Sequence, residues 1–298
     1  MHAVVLTFPG HFFQTQLCVR HLVLHYPEVQ RITCVVDDIE CSPWISYVED
    51  FTREIRTTWS GQLDIRAVSG MRTISDCVAG WWRQQLVKLT LDHWLDDDQW
   101  FVVDGDVIFH SRCDVWNRVP ISRRGDHASR WSSMSVNYVS GVLGVSQGFL
   151  TDGASRVITN PVPFRHLDRS LLTALRQHVE ARFHADFLDL HLRWFADQTI
   201  VADIDPPTRW VMTEWELIEC YRRWILDLEW PLIEVGSGYP LDVSILDKQG
   251  GQNLFYHSYQ RDSEVAPAWF SSQGLDLDRD VWSRSQHWYN YRERSLRA

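Results

Sequence analysis

None of the 6 cysteines forms a Cys-x-x-Cys pair, so neither a zinc cluster nor a disulfide framework is indicated, and reduced, partly buried thiols are expected. Glycine-rich phosphate loops are missing too. Neither Gly-x-Gly-x-x-Gly nor Gly-x4-Gly-Lys-Ser/Thr occurs, so nucleotide binding cannot rest on a Rossmann or P-loop fingerprint. No apolar run approaches a membrane span. The opening Met1-His2-Ala3-Val4-Val5-Leu6-Thr7-Phe8-Pro9-Gly10 has no basic region and breaks its apolar run too early for a secretory leader. No internal repeat or low-complexity linker interrupts the sequence. Positive charge is in deficit: 29 Lys and Arg face 39 Asp and Glu, a formal charge of −10. Such a field repels nucleic acid and anionic membranes unless a local basic patch overrides it. The expectation is a soluble, cytoplasmic protein.

At 298 residues the chain can bury a large core. Its 16 Trp residues are many for this length; they suit either carbohydrate-stacking surfaces or a large core, and the core reading is preferred.

Residues 3–8 read as a strand, 12–26 as a helix with Phe13, Leu17 and Leu24 on its apolar side, and 32–36 as a second buried strand ending on Asp37-Asp38. This β-α-β opening implies a parallel pair with a right-handed crossover. A carboxylate such as Asp37 at that strand end either binds a base or ribose hydroxyl, or caps a helix or sits in a solvated loop. His21 and His25 stand one helical turn apart, but the glutamate of His-Glu-x-x-His is missing, so they read as helix-surface residues. Residues 43–56 suggest a helix and 63–68 a third strand. Residues 80–94 suggest one more helix, with Val78, Trp82, Leu86 and Leu89 as its core stripe and Arg83, Gln84 and Lys88 as polar positions. Those three either meet an anionic, hydroxyl-rich ligand or are solvated.

The centre of the chain is Trp100-Phe101-Val102-Val103-Asp104-Gly105-Asp106-Val107-Ile108-Phe109. An apolar strand ends on two carboxylates separated by one glycine, and an extended chain would point both the same way. Paired hard oxygen donors suit Mg²⁺ or Mn²⁺, which keep positions open for phosphate oxygens. The competing reading is a hairpin, because Asp-Gly between apolar runs is a strong hairpin signal. Further on, 122–135 reads as a polar loop carrying Arg123, Arg124 and Arg130. Helices are expected at 166–182, starting near Asp168, and at 185–195, with strands at 199–204 and 232–235 and a break at 236–240. Thr213 suits a helix N-cap with Glu216 as its capping-box partner, which leaves Glu214 free for chemistry. A late strand at 253–260 carries His257, which is either hydrogen-bonded structure or a metal ligand.

Trp81-Trp82-Arg83-Gln84-Gln85-Leu86-Val87-Lys88-Leu89 followed by the Asp104-Gly105-Asp106 strand resembles the GT-A glycosyltransferases, and in particular a family of predicted bacterial and phage glycosyltransferases. Asn137-Tyr138-Val139-Ser140-Gly141 through Val145 is like the strand that lines the donor-sugar pocket, and Thr213-Glu214-Trp215-Glu216-Leu217 is like the family's later helix start. Glycine replaces a middle Ala or Ser in the acidic motif. The resemblance implies an α/β fold with a GT-A-like, Rossmann-like mixed central sheet flanked by helices. A catalytic domain would span 1–260, with a helical, aromatic C-terminal extension at 261–298. It implies a metal-dependent transfer from a UDP-linked nucleotide sugar. Asp104, Asp106 and His257 would hold Mn²⁺ or Mg²⁺, and Phe8, Asp37, Arg83, Gln84, Lys88, Asp104 and Gly141 would bind the donor. Glu214 would act as the base of an inverting reaction. The acceptor stays open between a glycan or metabolite and a hydroxymethylated pyrimidine in phage DNA. Non-catalytic sugar or nucleotide binding and metal-dependent phosphohydrolysis are the alternatives.

Overall fold

Residues 3–6 and 32–36 are mostly apolar and rich in Val and Ile, and they form strands whose side chains are buried on both faces. The computed structural model describes residues 1–8, 12–39, 49, 52, 53, 55–57, 59–71, 74, 80–109, 112, 114, 116, 119–122, 131–147, 164–197, 212–228, 230–238 and 253–257. In chain order the elements are β1 (His2–Thr7), α1 (Phe12–His25), β2 (Arg31–Val36), β3 (Gln62–Ala67), α2 (Gly80–Leu89), α3 (Leu91–Trp94), β4 (Gln99–Asp104), β5 (Val107–Phe109), β6 (Val119–Ser122), α4 (Trp131–Leu143), β7 (Phe164–Asp168), α5 (Arg169–Phe183), α6 (Phe187–Ala196), α7 (Glu214–Cys220), a π-helical turn (Tyr221–Ile225), β8 (Leu232–Gly238) and β9 (Asn253–His257). A five-stranded sheet runs β3-β2-β1-β4-β7, and a four-stranded sheet runs β5-β9-β8-β6. Among the described residues no helix is long and apolar enough to cross a membrane.

The chain divides into two compact units, one of Met1–Ala67, Val103–Cys113 and Val235–Ala298, the other of Val68–Val102 and Asp114–Glu234. In the first, β1, β2 and β3 are parallel and in step, with Thr7 opposite Val36 and Val36 opposite Ala67. Their carboxyl ends are therefore level, and the Asp37 N–H donates to the Thr7 carbonyl at 2.9 Å. Helix α1 packs on β1 and β5. This buries His21, contrary to the surface position expected for it: its Nδ1 hydrogen-bonds the Phe109 carbonyl at 2.9 Å. β5 pairs antiparallel with β9, which places His257 opposite Val107.

In the second unit α2 is buried nearly all round, including Arg83 and Lys88, so these two are not the solvated alternative. The helix expected over 80–94 breaks at Thr90, whose hydroxyl donates to the Leu86 carbonyl at 2.7 Å, a back-bond that competes with continued winding. α3 is fastened to α5 by Asp92, which accepts from Thr173 at 2.6 Å and from Arg176 Nη2 at 2.6 Å. Burial opposes ionisation there, but the Arg176 and Thr173 hydrogen bonds hold the Asp92 carboxyl below its ordinary range.

Three expectations are corrected here. Asn137 to Val145 is not a strand: residues 131–143 form helix α4, with Val136, Val139 and Leu143 on one helical side, and Gly144 ends it at φ +74°. A short apolar run fits both periodicities, and the left-handed glycine decides for the helix. The helix expected from His166 starts at Arg169, because residues 164–168 form β7; Asp168 accepts from Gln99 at 2.8 Å instead of capping with its side chain. Strand β8 continues through Gly238 where a break was expected, with a bulge between Gly236 and Ser237. Of the polar loop expected at 122–135, Ser122 ends β6 and 131–135 belong to α4, while 123–130 lie outside the described residues, as do the strand expected at 199–204 and the extension 261–298.

Candidate active site

The acidic motif is a turn between strands of different sheets. β4 belongs to the five-stranded sheet and β5 pairs with β9 in the other, so Asp104-Gly105-Asp106 is not the hairpin that its Asp-Gly step suggests. Nor is it continuous strand: Asp104 ends β4, and Gly105 and Asp106 turn the chain. Gly105 lies against β1, its N–H donating to the Leu6 carbonyl at 2.6 Å. A Cβ at this position would meet Thr7 Cβ at 2.7 Å, the Leu6 oxygen at 2.8 Å and Thr15 Oγ1 at 2.9 Å. The demand for glycine is one of space, and it explains why neither Ala nor Ser stands between the two aspartates. Thr7 and Thr15 hydroxyls are linked at 2.5 Å beside the turn.

Cys18 on α1 supports the same turn. Its thiol donates to the Asp104 carbonyl at 3.7 Å and accepts from the Val107 N–H. Burial, with lesser contributions from Cys34, Asp106 and Asp104, pushes this thiol well up, so it stays protonated. Asp106 is buried and Asp104 half-buried. Phe8 and Asp37 follow β1 and β2 directly, so Phe8, Asp37, Asp104 and Asp106 gather at the carboxyl ends of adjacent strands. The donor set of two carboxylates suits a hard divalent ion that shares its remaining positions with other oxygens. Among the described residues no group of three or more His, Cys, Asp or Glu side chains could hold a metal ion. The third expected ligand, His257, is placed by its backbone alone, opposite the residue after Asp106.

The second unit gathers a different set. Lys88 and Glu214, separated by 126 residues in sequence, form a buried ion pair at 2.6 Å, with the Lys88 ammonium 4.9 Å from the Trp215 ring centroid. Helix α7 packs on α2, α4 and α5, and its three acids, Glu214, Glu216 and Glu219, are all buried. The capping box expected at its start does not form. Thr213 occupies the N-cap position but makes no side-chain cap bond, and its hydroxyl is buried without a hydrogen-bond partner among the described residues. Burial, reinforced by Glu214, raises Glu216 to about 8, so its carboxyl is protonated at neutral pH. Behind the pair, His191 Nδ1–H donates to the Phe187 carbonyl at 2.8 Å, which leaves Nε2 to accept from the Tyr138 hydroxyl at 3.0 Å. Burial lowers His191 to about 4, so the ring is neutral; it also raises Tyr138, with Glu214 and Glu216 adding to the effect. Glu219 binds Arg222 and lies 3.9 Å from Arg165.

The expected site residues therefore fall into two groups. Phe8, Asp37, Asp104 and Asp106 come together in the first unit, together with the His257 backbone. Lys88 and Glu214 come together in the second, but as partners of each other. Arg83 is buried on α2 and Gln84 half-buried; Gly141 is half-buried within α4. Sequence reading missed Cys18, Tyr138, His191, Arg165 and Arg222. The available signal was three glutamates in the otherwise apolar α7, too many for a helix whose every position is buried unless cations meet them.

A family of unknown function (DUF6492) matches residues 10–131. No curated protein matches the chain. Mouse xyloside xylosyltransferase 1 in its apo form is 8% identical, with 88% of this chain and 99% of that one covered and a TM-score of 0.45. The glycosyltransferase GlyE of Streptococcus pneumoniae TIGR4 is 11% identical, covers 97% of this chain and 63% of its own, and has a TM-score of 0.39. The galactosyltransferase LgtC, in complex with donor and acceptor sugar analogs, is 10% identical, with 96% of this chain and 100% of LgtC covered and a TM-score of 0.50. With LgtC the chain shares its mixed, GT-A-like α/β fold.

Proposed function

We propose that this chain is a glycosyltransferase that moves a sugar from a UDP-linked nucleotide sugar to an acceptor hydroxyl, with inversion and with Mn²⁺ or Mg²⁺. The observation that supports it most is the gathering of Phe8, Asp37, Asp104 and Asp106 at the carboxyl ends of β1, β2 and β4. That edge is where open α/β sheets take their ligands. In this reading Asp37 accepts from a ribose or base hydrogen-bond donor and Phe8 lies against the nucleoside. Asp104 and Asp106, with His257, hold the divalent ion, which when bound supplies positive charge for the leaving diphosphate. The glycine between the aspartates keeps the turn close against β1, so both carboxylates start from a fixed backbone.

The second unit carries the remaining assignments. Arg83, Gln84 and Gly141 bind the donor, and Glu214 removes the proton of the acceptor hydroxyl as the hydroxyl attacks the anomeric carbon. Lys88 donates to Oε1 of Glu214 at 2.6 Å, so Oε2 is the oxygen proposed to take the proton. Incubation with UDP-glucose, UDP-galactose and UDP-N-acetylglucosamine, following UDP release with and without Mn²⁺, tests the reading. UDP release from at least one donor is expected, reduced at least about tenfold in Asp104→Asn and in Asp106→Asn. Glu214→Gln should lose transfer while still binding UDP. UDP release that ignores metal and both aspartates would overturn the metal assignment, and transfer surviving in Glu214→Gln would move the base elsewhere.

A further inference from the structure

Three half-buried aromatic residues of the second unit, Trp116, His166 and Trp230, pack together outside the residues assigned above. The His166 ring meets Trp116 edge-to-face at 4.5 Å and 72°, and runs nearly parallel to Trp230 at 6.4 Å and 16°. Phe101 backs Trp116 at 5.9 Å. The Arg222 guanidinium carbon stands 4.4 Å from the Trp230 ring centroid. Arg222 is only 5% exposed. Its Nη2 donates to Glu219, and its Nε and Nη1 have no hydrogen-bond partner among the described residues. Both ring nitrogens of His166 are likewise buried without a hydrogen-bond partner among the described residues. Buried polar atoms left without partners are rare in native proteins and call for an explanation, such as a ligand that supplies the partner.

The chemistry of the open positions narrows that ligand. On a guanidinium, Nε and Nη2 form the side fork that grips a carboxylate with two parallel bonds. Glu219 accepts from Nη2, so the two nitrogens without a partner, Nε and Nη1, point apart and suit separate hydroxyl oxygens. His166, whose burial holds it neutral, offers one donor and one acceptor, which again matches hydroxyl groups. Trp116 and Trp230, each half-buried, add apolar ring surface against which the C–H side of a sugar ring can lie. The group thus combines apolar ring surface with spaced hydrogen-bonding positions.

We propose that Trp116, His166, Trp230 and Arg222 form a saccharide subsite for a neutral pyranose, which serves as the acceptor side of the transfer. Its service to an acceptor rests on the glycosyltransferase reading; saccharide binding itself does not. Saturation-transfer NMR on the full chain, with lactose, maltotriose and xylobiose as separate probes at millimolar concentration, tests it. At least one of the three should bind, and Trp230→Ala and Arg222→Lys should each weaken it by about tenfold or more. Trp59→Ala, in the other unit, should leave binding unchanged. Should Trp230→Ala fail to fold by near-UV circular dichroism, Trp230→Phe, which keeps a flat face, is expected to retain partial binding, with Arg222→Lys deciding. No binding of any probe to the natural protein, or equal binding by natural protein and folded variants, overturns the subsite. UDP binding with Mn²⁺ on the same samples separates the two claims. UDP affinity intact with saccharide binding absent removes the subsite alone, whereas saccharide binding without UDP binding removes the transferase reading alone.

Discussion

Replacing Glu216 by Gln should change how stability depends on pH, and the sign follows from where its proton is held. The carboxyl is raised from 4.5 to about 8 by burial and by Glu214. A raised group binds its proton more tightly folded than unfolded, so its contribution is fully present below pH 4.5 and is lost as pH rises through about 8. At ~1.4 kcal/mol per pH unit, that span amounts to roughly 3–5 kcal/mol of stability lost by the natural protein across the window. Glutamine keeps the shape and cannot ionise. Glu216→Gln should therefore match the natural protein near pH 5 and exceed it by a few kcal/mol near pH 8.5, within the range a buried charge can cost. Urea unfolding followed by tryptophan fluorescence at half-unit steps from pH 5 to 9 reads this directly, provided the denaturant slope stays constant. Differences between the two proteins cancel the titration of His191 and the other shared groups. Parallel stability curves would refute the buried, protonated state of Glu216, and a gap that widens toward acid would refute the sign.

Lys88→Met should destabilise the fold by about 3–5 kcal/mol, because it leaves Glu214 buried without its counter-charge. Adding Glu214→Leu should recover much of that loss, and a double-mutant cycle by chemical denaturation measures the coupling. Gly105→Ala should cost about 1–3 kcal/mol, since its Cβ would press on the backbone oxygen of Leu6; calorimetry checks it, and a neutral substitution would mean the turn is looser than described. The Cys18 and Cys34 thiols, both fully buried, should react with a disulfide reagent only after unfolding. Rapid labelling of either in the native protein would contradict that burial.

How much of this was legible from sequence varies with the range of the interaction. The β-α-β opening, β4 and the start of α7 carry local signals, apolar runs and a cap-like Thr213, and they fold where expected. The acidic turn was ambiguous because a hairpin and a crossing between sheets share the same Asp-Gly step. Only the pairing of β5 with β9, more than 140 residues onward, separates them. Residues 137–145 misled because a short Val-rich run fits a strand as well as a buried helix. Arg83 and Lys88 were left between ligand binding and solvation because burial of a cation depends on its partner, and Lys88 finds Glu214 across 126 residues. Nothing in the neighbourhood of His191 announces that Tyr138 will bond to it.

The central claim is that Asp104-Gly105-Asp106 holds a divalent ion against a nucleotide diphosphate. Isothermal titration of UDP into the full chain, with and without Mn²⁺, measures it most directly. The account predicts that UDP binding strengthens at least about tenfold when Mn²⁺ is present and that Asp104→Asn combined with Asp106→Asn removes this enhancement while the protein stays folded. UDP binding with the same metal dependence in the double variant would contradict it.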